Sequence, residues 1–464
     1  MDKTSSSSRM LTGPLWNKIL LYTLPLAATG ILQQLFNAAD MAVVGRFTGD
    51  LGPTAMAAVG SNAPVVGLAL NTFMGISLGS NVVIANSVGS GDDKTVKKAV
   101  HTSVLFAVLA GIVITVFAEI LSSFIISGQK LPDEVYPYAL TYFRIYMAGT
   151  AVILLYNFEA SVFRAMGDTK TPLIVLFFSG TLNVILNLFF VIVIKMNVEG
   201  VAISTLISNL ISAVILLFLL VKTDSPARIE LRCLKMDRHV LLKILRIGIP
   251  AGLQSLVFNL ANVIIQSAIN SLGTIVIAAS SAAFNIEVFV YHVVNSFSQA
   301  CTTFTGQNFG GNKIDRCKKV IGLCLFEGIL FMGISIAVVL TFGHELLSIF
   351  NSDPAVIKVG YTRLIYIFAA YTFTLTYEVV SGYLRGYGIS FIPALFTVVG
   401  VCGVRITWIY TVFPRYRTFE NIMIVYPLSL ATTAFLMLIA LAIFRPAKKW
   451  TDKSVVGNGT GIMV

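Results

Sequence analysis

The sequence predicts an all-α membrane protein whose twelve transmembrane helices form two pseudo-symmetric lobes of six helices each. Three observations lead to this fold class: an apolar composition, twelve long apolar segments, and residues that recur at a constant spacing in the two halves of the chain. Of the 464 residues, 56% are hydrophobic and only 12% are charged, whereas a soluble domain carries about 25% charged residues. The mean hydropathy of +0.83 therefore indicates lipid as the main solvent of the chain.

Twelve segments are long enough to cross a bilayer as a helix, which needs about 20 apolar residues. In chain order they are 16–44, 54–86, 96–126, 135–163, 171–194, 198–221, 241–271, 274–308, 317–342, 355–384, 391–413 and 421–444. A polar, basic connector, 222–240, separates the sixth segment from the seventh. The sequence thus predicts an N-terminal lobe over 1–221, a C-terminal lobe over 241–445 and a cytoplasmic tail over 446–464.

Identical residues in the two halves indicate an internal duplication. The same spacing separates the members of each of the following pairs: Tyr156 and Tyr377, Arg164 and Arg385, Gly167 and Gly388, Pro172 and Pro393, Lys97-Lys98 and Lys318-Lys319, and Gly89 and Gly310. Chance would not produce so many matches at one spacing. Two parallel six-helix halves are a known plan of membrane transporters.

Positive charge is concentrated in the segments that are expected on one side of the membrane. Of the 33 Lys and Arg residues, 24 lie at the N-terminus, after even-numbered helices, in the connector or in the tail. Because short cytoplasmic loops are enriched in these residues, both termini are predicted to be cytoplasmic in a multi-pass protein of the cell inner membrane. The net charge of +11 is therefore a topology signal, and we expect no nucleic-acid partner. Met1–Arg9 lacks the apolar core of a cleaved signal peptide.

The most informative charged residue is Asp40, which lies in an apolar stretch of the first segment. A carboxylate without a counter-ion costs several kcal/mol in hydrocarbon, so such a residue marks a functional site by default. Asn37 and Phe36 precede Asp40 by three and four residues and share its helix face, and Gln33 lies two turns back on that side. The alternative is that Asp40 caps a helix end near the outer interface and is solvated.

The stretch around Asp40 recurs in the second half with one difference. Four pairs are identical at almost the same spacing as the pairs above: Gly30 and Gly252, Phe36 and Phe258, Asn37 and Asn259, and Ala39 and Ala261. Asp40 corresponds to Asn262, so the carboxylate is confined to the first half. This difference between the two copies of the repeat therefore marks Asp40 as a candidate functional residue.

Polar groups on two further helices are expected to lie near Asp40. Asn183 and Asn187 are four residues apart and share one face of the fifth helix, and Thr205 lies on the sixth. Together with Asp40 these groups could hold a proton, a small cation or a cationic substrate. For the two asparagines, hydrogen bonding between helices is an equal alternative.

Two further sets of residues are assigned from their positions. The candidate substrate cavity consists of polar and aromatic residues of the first and fourth helices: Gln33, Gln34, Phe36, Tyr156, Asn157 and Glu159. A possible second site in the C-terminal lobe consists of Asn259, Asn262, Glu287 and Glu378. Glu287 and Glu378 could pair there, or one of them could face a water-filled cavity without a role, and a structural role is the alternative for Glu159.

The residues and their motifs resemble the multidrug and toxic compound extrusion (MATE) transporters of prokaryotic type along nearly the whole chain. The motifs that carry the resemblance are Gln33-Gln-Leu-Phe-Asn-Ala-Ala-Asp40, Val44-Gly-Arg46, Tyr156-Asn157, Phe163-Arg-Ala-Met-Gly-Asp-Thr-Lys-Thr-Pro172, Gly306-Gln-Asn-Phe-Gly310 and Ser381-Gly-Tyr-Leu-Arg-Gly386. The resemblance implies two six-helix lobes around a central cleft. It also implies antiport of organic cations or drugs against H+ or Na+.

The resemblance also assigns roles to single residues. Asp40 matches the first-helix carboxylate that titrates in the proton-linked branch, and Asn183 and Thr205 match its polar partners. The second acid of that lobe falls on Asn187, an amide, which leaves Asp40 as the lone titrating group. The two carboxylates of the Na+-linked branch fall near Phe258 or Asn259 and near Thr374, and both are absent here.

The predicted function is a cation-coupled antiporter, driven by H+ or alternatively by Na+, that exports organic cations or drugs. We expect a monomer in the lipid bilayer with cationic amphiphiles as substrates, no cofactor and no bound metal. One alternative is a flippase for lipid-linked saccharides, whose cavity would need several cations, whereas the sequence offers Arg144, Arg363 and Arg405. A membrane-bound enzyme or receptor is disfavoured by the duplication and by the lack of a catalytic set.

Overall fold

The computed structural model describes residues 10–447, and their regular secondary structure is helical, with no strand among them. The first eight helices are α1 (Leu15–Phe47), α2 (Gly52–Ser90), α3 (Asp93–Ser127), α4 (Tyr136–Ala148), α5 (Thr150–Ala165), α6 (Lys170–Leu188), α7 (Val198–Lys222) and α8 (Arg238–Asn270). The others are α9 (Thr274–Gly310), α10 (Ile314–Thr341), α11 (Gly343–Ser348), α12 (Pro354–Ala369), α13 (Tyr371–Gly386), α14 (Phe391–Thr397), α15 (Val404–Thr411) and α16 (Phe419–Phe444). Met1–Arg9 and the tail beyond residue 447 lie outside the described residues.

The described residues contain ten apolar spans that are long enough to cross a membrane, and two bent helix pairs raise the number to twelve. Two spans include a short π-helical stretch, Phe189–Val193 after α6 and Val398–Gly403 between α14 and α15. Each predicted segment corresponds to one span, and the ends agree within a few residues. The prediction of a polytopic all-α protein is confirmed.

Two of the predicted helices are bent, and no bend was predicted at either position. The fourth span consists of α4 and α5, which meet at 47° around Gly149, and the tenth consists of α12 and α13, which meet at 45° around Ala370. Glycine is destabilising inside a helix, which fits the break at Gly149. The two breaks are separated by the same spacing as the identical residue pairs, so the bend belongs to the repeated unit.

Backbone conformation repeats at this spacing as well. Gly91 and Asn312 have φ angles of 70° and 54°, and Gly167 and Gly388 have φ angles of 92° and 82°. Glycine adopts this left-handed region without strain, and asparagine tolerates it better than most residues do. The turns after α2 and α9, and those after α5 and α13, are thus built in the same way.

Two compact units can be distinguished. The N-terminal unit comprises Leu24–Ile84 and Asp92–Leu256, and the C-terminal unit comprises Met1–Thr23, Ala85–Gly91 and Val257–Val464, as far as these are described. The lobe boundaries predicted from the sequence stay a prediction.

Each unit has its own apolar core. In the N-terminal unit, Val44, Ala58 and Phe143 belong to a buried cluster formed by α1 to α4 and α7. In the C-terminal unit, Tyr377 and Met437 belong to a cluster in which α13 packs against α16. Burial of these side chains is expected to hold the helices of each unit together.

The outward faces of the helices are apolar. On α3, Phe117, Ile120 and Phe124 are each more than 60% exposed. Exposed apolar surface on this scale is not found on soluble monomers, but it suits contact with lipid chains. The prediction that the chain is a multi-pass membrane protein is confirmed by these spans and faces.

The connector between α7 and α8 is folded against the start of α3. Lys97 Nζ lies 2.7 Å from Glu230 Oε1, and Lys98 Nζ lies 3.0 Å from Asp237 Oδ2. The hydrogen bond from the Lys97 ammonium holds the pKa of Glu230 below its ordinary value. His101 Nε2 accepts a hydrogen bond from the backbone N–H of Glu230 at 3.2 Å. The basic connector is therefore neutralised in part and fixed in place.

The ends of α2 and α9 approach so closely within the C-terminal unit that only glycine fits. A Cβ at Gly89 would overlap the carbonyl of Gln307, and one at Gly310 would overlap the carbonyl of Asn86. Both glycines belong to the repeated pairs found in the sequence. Close backbone packing through small residues is typical of membrane helices.

We therefore expect Gly89→Ala to destabilise the protein by about 1–3 kcal/mol, the usual cost of overpacking. The measurement is the melting temperature of the full chain in detergent. Gly322→Ala is the matched control, because a Cβ at Gly322 of α10 would meet no atom within 4 Å. A melting temperature unchanged by Gly89→Ala would show that the two helices are not held at this distance.

Candidate functional site: a carboxylate held by neutral groups

Asp40 lies inside α1, about two turns before the helix ends at Phe47. Its side chain is half-buried. A capping residue lies at the end of a helix and binds free backbone groups there, so the alternative that Asp40 caps a helix end is wrong. The carboxylate instead projects toward α6 and α7, as its hydrogen bonds show.

Two neutral side chains contact the Asp40 carboxylate. Asn187 Nδ2 donates to Asp40 Oδ1 at 2.5 Å, and Thr205 Oγ1 lies 3.4 Å from Asp40 Oδ2. The hydroxyl of Thr205 also lies 2.9 Å from the backbone carbonyl of Val201. Because one hydroxyl proton cannot serve both acceptors well, the nearer carbonyl takes it. Asn187 is therefore the main donor to Asp40.

A chain of amides and hydroxyls continues from this contact. Asn187 Nδ2 lies 3.3 Å from Asn183 Oδ1, and Asn183 Nδ2 lies 3.4 Å from Thr205 Oγ1. Asn183 and Asn187 can both reach this point because they are one helical turn apart on α6. The structure thus places Asp40, Asn183, Asn187 and Thr205 in one hydrogen-bonded group.

No Lys, Arg or His within residues 10–447 forms an ion pair with Asp40. A carboxylate ion can accept about four hydrogen bonds, whereas Asp40 has one short contact and one long one. Asn187 Oδ1 is buried and has no donor within the described part of the chain. Asn187 Oδ1 is therefore a buried acceptor at this site that the described residues do not satisfy.

Two tyrosines near Asp40 were not identified from the sequence. Tyr142 and Tyr146 on α4 lie close enough for a charge on Asp40 to act on their hydroxyls. Their ring centroids are 5.7 Å apart. The sequence does contain a pattern that could have identified them. Tyr138, Tyr142 and Tyr146 follow one another at intervals of four residues and therefore share one helix face.

The aromatic neighbour of Asp40 packs against a glycine. The ring of Phe36 lies so close to Gly180 that a Cβ at that position would overlap the ring. Gly180 lies one turn before Asn183 on α6. The backbone of α6 therefore lies close to α1 at Phe36, one helical turn of α1 away from the contact between Asp40 and Asn187.

Three predicted residues of the first helix lie outside this hydrogen-bonded group. Gln33 and Gln34 are half-buried and Asn37 is exposed. The side chains of these residues form no hydrogen bond with another residue in the described range. Their assignment to the coupling site or to a substrate cavity stays a prediction.

The predicted cavity residues of the fourth helix are buried in helix packing. Tyr156 packs with Val175 and Leu216 in an apolar cluster. Asn157 Nδ2 donates to the carbonyl of Ile153 at 2.8 Å, which is one turn back on the same helix. Glu159 is fully buried, and neither carboxyl oxygen has a partner within the described part of the chain.

In the C-terminal unit, Glu287 is paired with an arginine. Arg363 Nε donates to Glu287 Oε1 at 2.6 Å, and Arg363 Nη2 donates to Glu287 Oε2 at 3.0 Å. Arg363 Nη1 donates to Ser280 Oγ at 2.6 Å. Both ion-pair members are buried. Glu287 therefore pairs with Arg363 and not with Glu378.

Glu378 and the two predicted asparagines lie in different surroundings. The Tyr291 hydroxyl lies 3.4 Å from Glu378 Oε1, and Ser298 Oγ lies 3.3 Å from Oε2. Asn262 Oδ1 accepts a hydrogen bond from Arg405 Nη1 at 2.7 Å. Asn259 is half-buried. Glu287, Glu378 and Asn262 thus have different hydrogen-bond partners, and the assignment of the four residues to one site stays a prediction.

Comparison with known proteins identifies the family. The sequence model of the MatE family matches this chain twice, over residues 25–189 and 250–411. One relative, described as the probable multidrug resistance protein YoeA of Bacillus subtilis, is 26% identical over 91% of this chain and 92% of its own length. Another, described as the probable multidrug resistance protein NorM of Thermotoga maritima, is 25% identical over 84% of each chain.

Solved structures show the same fold. A MOP superfamily transporter from Pyrococcus furiosus is 21% identical and has a TM-score of 0.88, over 97% of this chain and 100% of that one. An outward-facing multidrug resistance MATE family transporter is 22% identical with a TM-score of 0.87 and the same coverage. The names of the relatives support drug export. The chain belongs to the MatE family of multidrug and toxic compound extrusion transporters, as its resemblance to that family implied.

Proposed function

We propose that this protein is a proton-coupled antiporter that exports organic cations or drugs, and that Asp40 carries the coupling proton. One observation carries the proposal: the only carboxylate of its hydrogen-bonded group is held by neutral side chains. In an apolar environment such a carboxylate must be neutralised by a proton or by a cation. Binding of the proton and binding of a cationic substrate therefore exclude each other, which is the basis of antiport.

Asn187 can form a hydrogen bond with Asp40 both when Asp40 is ionised and when it is protonated. Its Nδ2 donates to the carboxylate at 2.5 Å, and its Oδ1, which has no donor within the described residues, can accept a hydrogen bond from a carboxylic acid after rotation of the amide. An amide carries donors and an acceptor on one planar group. Asp40 can therefore take up and release a proton while its hydrogen-bond partner Asn187 stays neutral.

A proton fits this site better than Na+ does. Hard metal cations prefer several oxygen ligands, with carboxylates among them. The group around Asp40 offers one carboxylate, and the second acid that the MATE resemblance leads us to expect is replaced by Asn187. With no second negative charge, binding of a cation is weakened, whereas protonation needs only Asp40.

The proposed cycle follows from this competition. External protons reach Asp40 and neutralise it, so that a bound organic cation is released outside. When Asp40 becomes accessible from the cytoplasm, the proton leaves and the next cation binds. We place the protein in the cell inner membrane as a monomer with cytoplasmic termini, since the positive charges favour this topology.

The three arginines that the sequence offers give the flippase alternative little support. Arg144 Nε lies 3.2 Å from Glu119 Oε1, and Arg363 is paired with Glu287. Of these three arginines, only Arg405 has no carboxylate partner among residues 10–447. A pyrophosphate-binding cavity would need several unpaired cations.

The test is transport by the purified full chain in proteoliposomes with ethidium as the organic cation. We expect an imposed pH gradient to drive ethidium movement and an imposed Na+ gradient, at equal pH, to leave it at the level of protein-free liposomes. Transport driven by Na+ and not by the pH gradient would overturn the proposal. Liposomes with both gradients dissipated serve as the control.

A further inference from the structure

A buried arginine forms the centre of a second polar group in the C-terminal unit. Arg405 on α15 is 1% exposed. Its Nε donates to Ser429 Oγ at 3.1 Å, and its Nη1 donates to Asn262 Oδ1 at 2.7 Å. The guanidinium carbon lies 5.3 Å from the ring centroid of Phe258 and 4.6 Å from that of Tyr426. We call these five residues the Arg405 cluster.

The hydrogen-bonding capacity of Arg405 is not used up by these contacts. An arginine side chain has five N–H donors and stays protonated in proteins. Two donors bind Ser429 and Asn262, and the other three have no acceptor within the described part of the chain. A buried cation that has only neutral partners costs free energy unless an anion pairs with it.

Neighbouring charges do not supply that anion. The guanidinium carbon of Arg363 lies 5.5 Å from the same Tyr426 ring, but its charge is balanced by Glu287. The ring of Tyr426 is thus close to two guanidinium groups, and only that of Arg363 has a carboxylate partner. These described side chains carry one net positive charge beside Tyr426. Cation–π contacts offset part of this cost but do not neutralise the charge.

The Arg405 cluster occupies the positions that correspond to the Asp40 site in the first half. Asn262 corresponds to Asp40 in the repeated stretch around that residue, and Tyr426 corresponds to Thr205 at the spacing of the other repeated pairs. Arg405 corresponds to Val184, the residue that follows Asn183. The duplicated site therefore has a negative charge in one half and a positive charge in the other.

We propose that the Arg405 cluster binds the carboxylate group of a transported amphiphile. A guanidinium presents its donors in a planar fork that matches a carboxylate, and the unused donors of Arg405 supply such a fork. Phe258 and Tyr426 provide apolar surface for the body of the compound. Arg405 is thus assigned as the residue that recognises the carboxylate of such a compound.

This inference rests on the proposed function only in that the carboxylate belongs to a transported compound. It does not depend on the coupling ion. The test therefore measures equilibrium binding to the purified full chain in detergent, without a gradient. The outcome is thus independent of the proton-coupling experiment.

The probes are rhodamine B, which has a free carboxylate at neutral pH, and its ethyl ester, which does not. Fluorescence polarisation gives the dissociation constant of each. We expect the protein to bind the acid about tenfold more tightly than the ester, the size expected for a charge-assisted hydrogen bond. Arg405→Gln should abolish this preference and leave the affinity for the ester within about twofold.

Two further variants distinguish a role of Arg405 in binding the carboxylate from a purely structural role. Asn262→Asp places a carboxylate at the partner position of Arg405 and should abolish the preference for the acid while Arg405 is still present. Arg144→Gln removes an arginine that already has a carboxylate partner and should leave the preference unchanged. If Arg405 were only structural, Asn262→Asp would keep the preference for the acid.

Equal affinity of the unaltered protein for acid and ester would overturn the proposal, as would a preference that survives in both Arg405→Gln and Asn262→Asp. If Arg405→Gln does not fold, the comparison of the two dyes and the Asn262→Asp variant still decide the question. An equal loss of affinity for both dyes in these variants would also contradict the proposal.

Discussion

Asp40→Asn is expected to reduce pH-driven export of ethidium to the level of protein-free liposomes. Asparagine is nearly isosteric with aspartate and can still bind Asn187, but it can neither accept nor release a proton near neutral pH. Coupling therefore fails even though the helices remain packed. The measurement is ethidium transport in proteoliposomes under an imposed pH gradient, together with the amount of protein that is incorporated.

Asp50→Asn is the matched control for this variant. Asp50 lies in an exposed turn between α1 and α2, and the same chemical change there should leave transport intact. Full pH-driven export by Asp40→Asn would contradict the role of Asp40 as the proton carrier. Loss of export in both variants would point to a general effect of removing acidic residues.

Glu287→Gln is expected to cause the largest loss of stability among single polar substitutions. It leaves the guanidinium of Arg363 buried without its carboxylate, and breaking a buried ion pair in this way costs about 3–5 kcal/mol. The expected result is a clear fall in the melting temperature of the full chain in detergent. The effect is on folding and not on coupling, since Glu287 already has a fixed partner.

Glu119→Gln provides the comparison for Glu287→Gln. It breaks the ion pair with Arg144, whose members are about half exposed, and such pairs contribute about 0–1 kcal/mol. A double variant, Glu287→Gln with Arg363→Gln, should recover much of the loss because no uncompensated charge remains. Equal melting temperatures for Glu287→Gln and Glu119→Gln would show that the buried pair is not structural.

The spans could be predicted because membrane helices need long apolar segments, and the segments are separated by polar turns. The duplication was visible because glycines such as Gly89 and Gly310 are required by close backbone contact at both places. The bends were not predictable in the same way. Gly149 weakens the helix locally because glycine has low helix propensity, whereas Ala370 has good helix propensity and gives no local sign of the break.

The contacts of Asp40 could be predicted in part. The spacing of Asn183 and Asn187 fixes a common helix face, but only packing decides that Asn187 is the closer of the two to Asp40. The pairing of Glu287 with Arg363 depends on helices that are far apart in the sequence, and nothing in the local pattern of either helix predicts it. For the same reason Arg405 could be named from the sequence but not placed beside Asn262.

Proton release on substrate binding is the direct test of proton coupling through Asp40. When ethidium binds to the full chain in weakly buffered detergent solution near neutral pH, the proposed competition predicts release of a proton from Asp40. The Asp40→Asn variant should release none. Release of the same amount of acid by Asp40→Asn, or binding without proton release by the unaltered protein, would show that Asp40 does not carry the coupling proton.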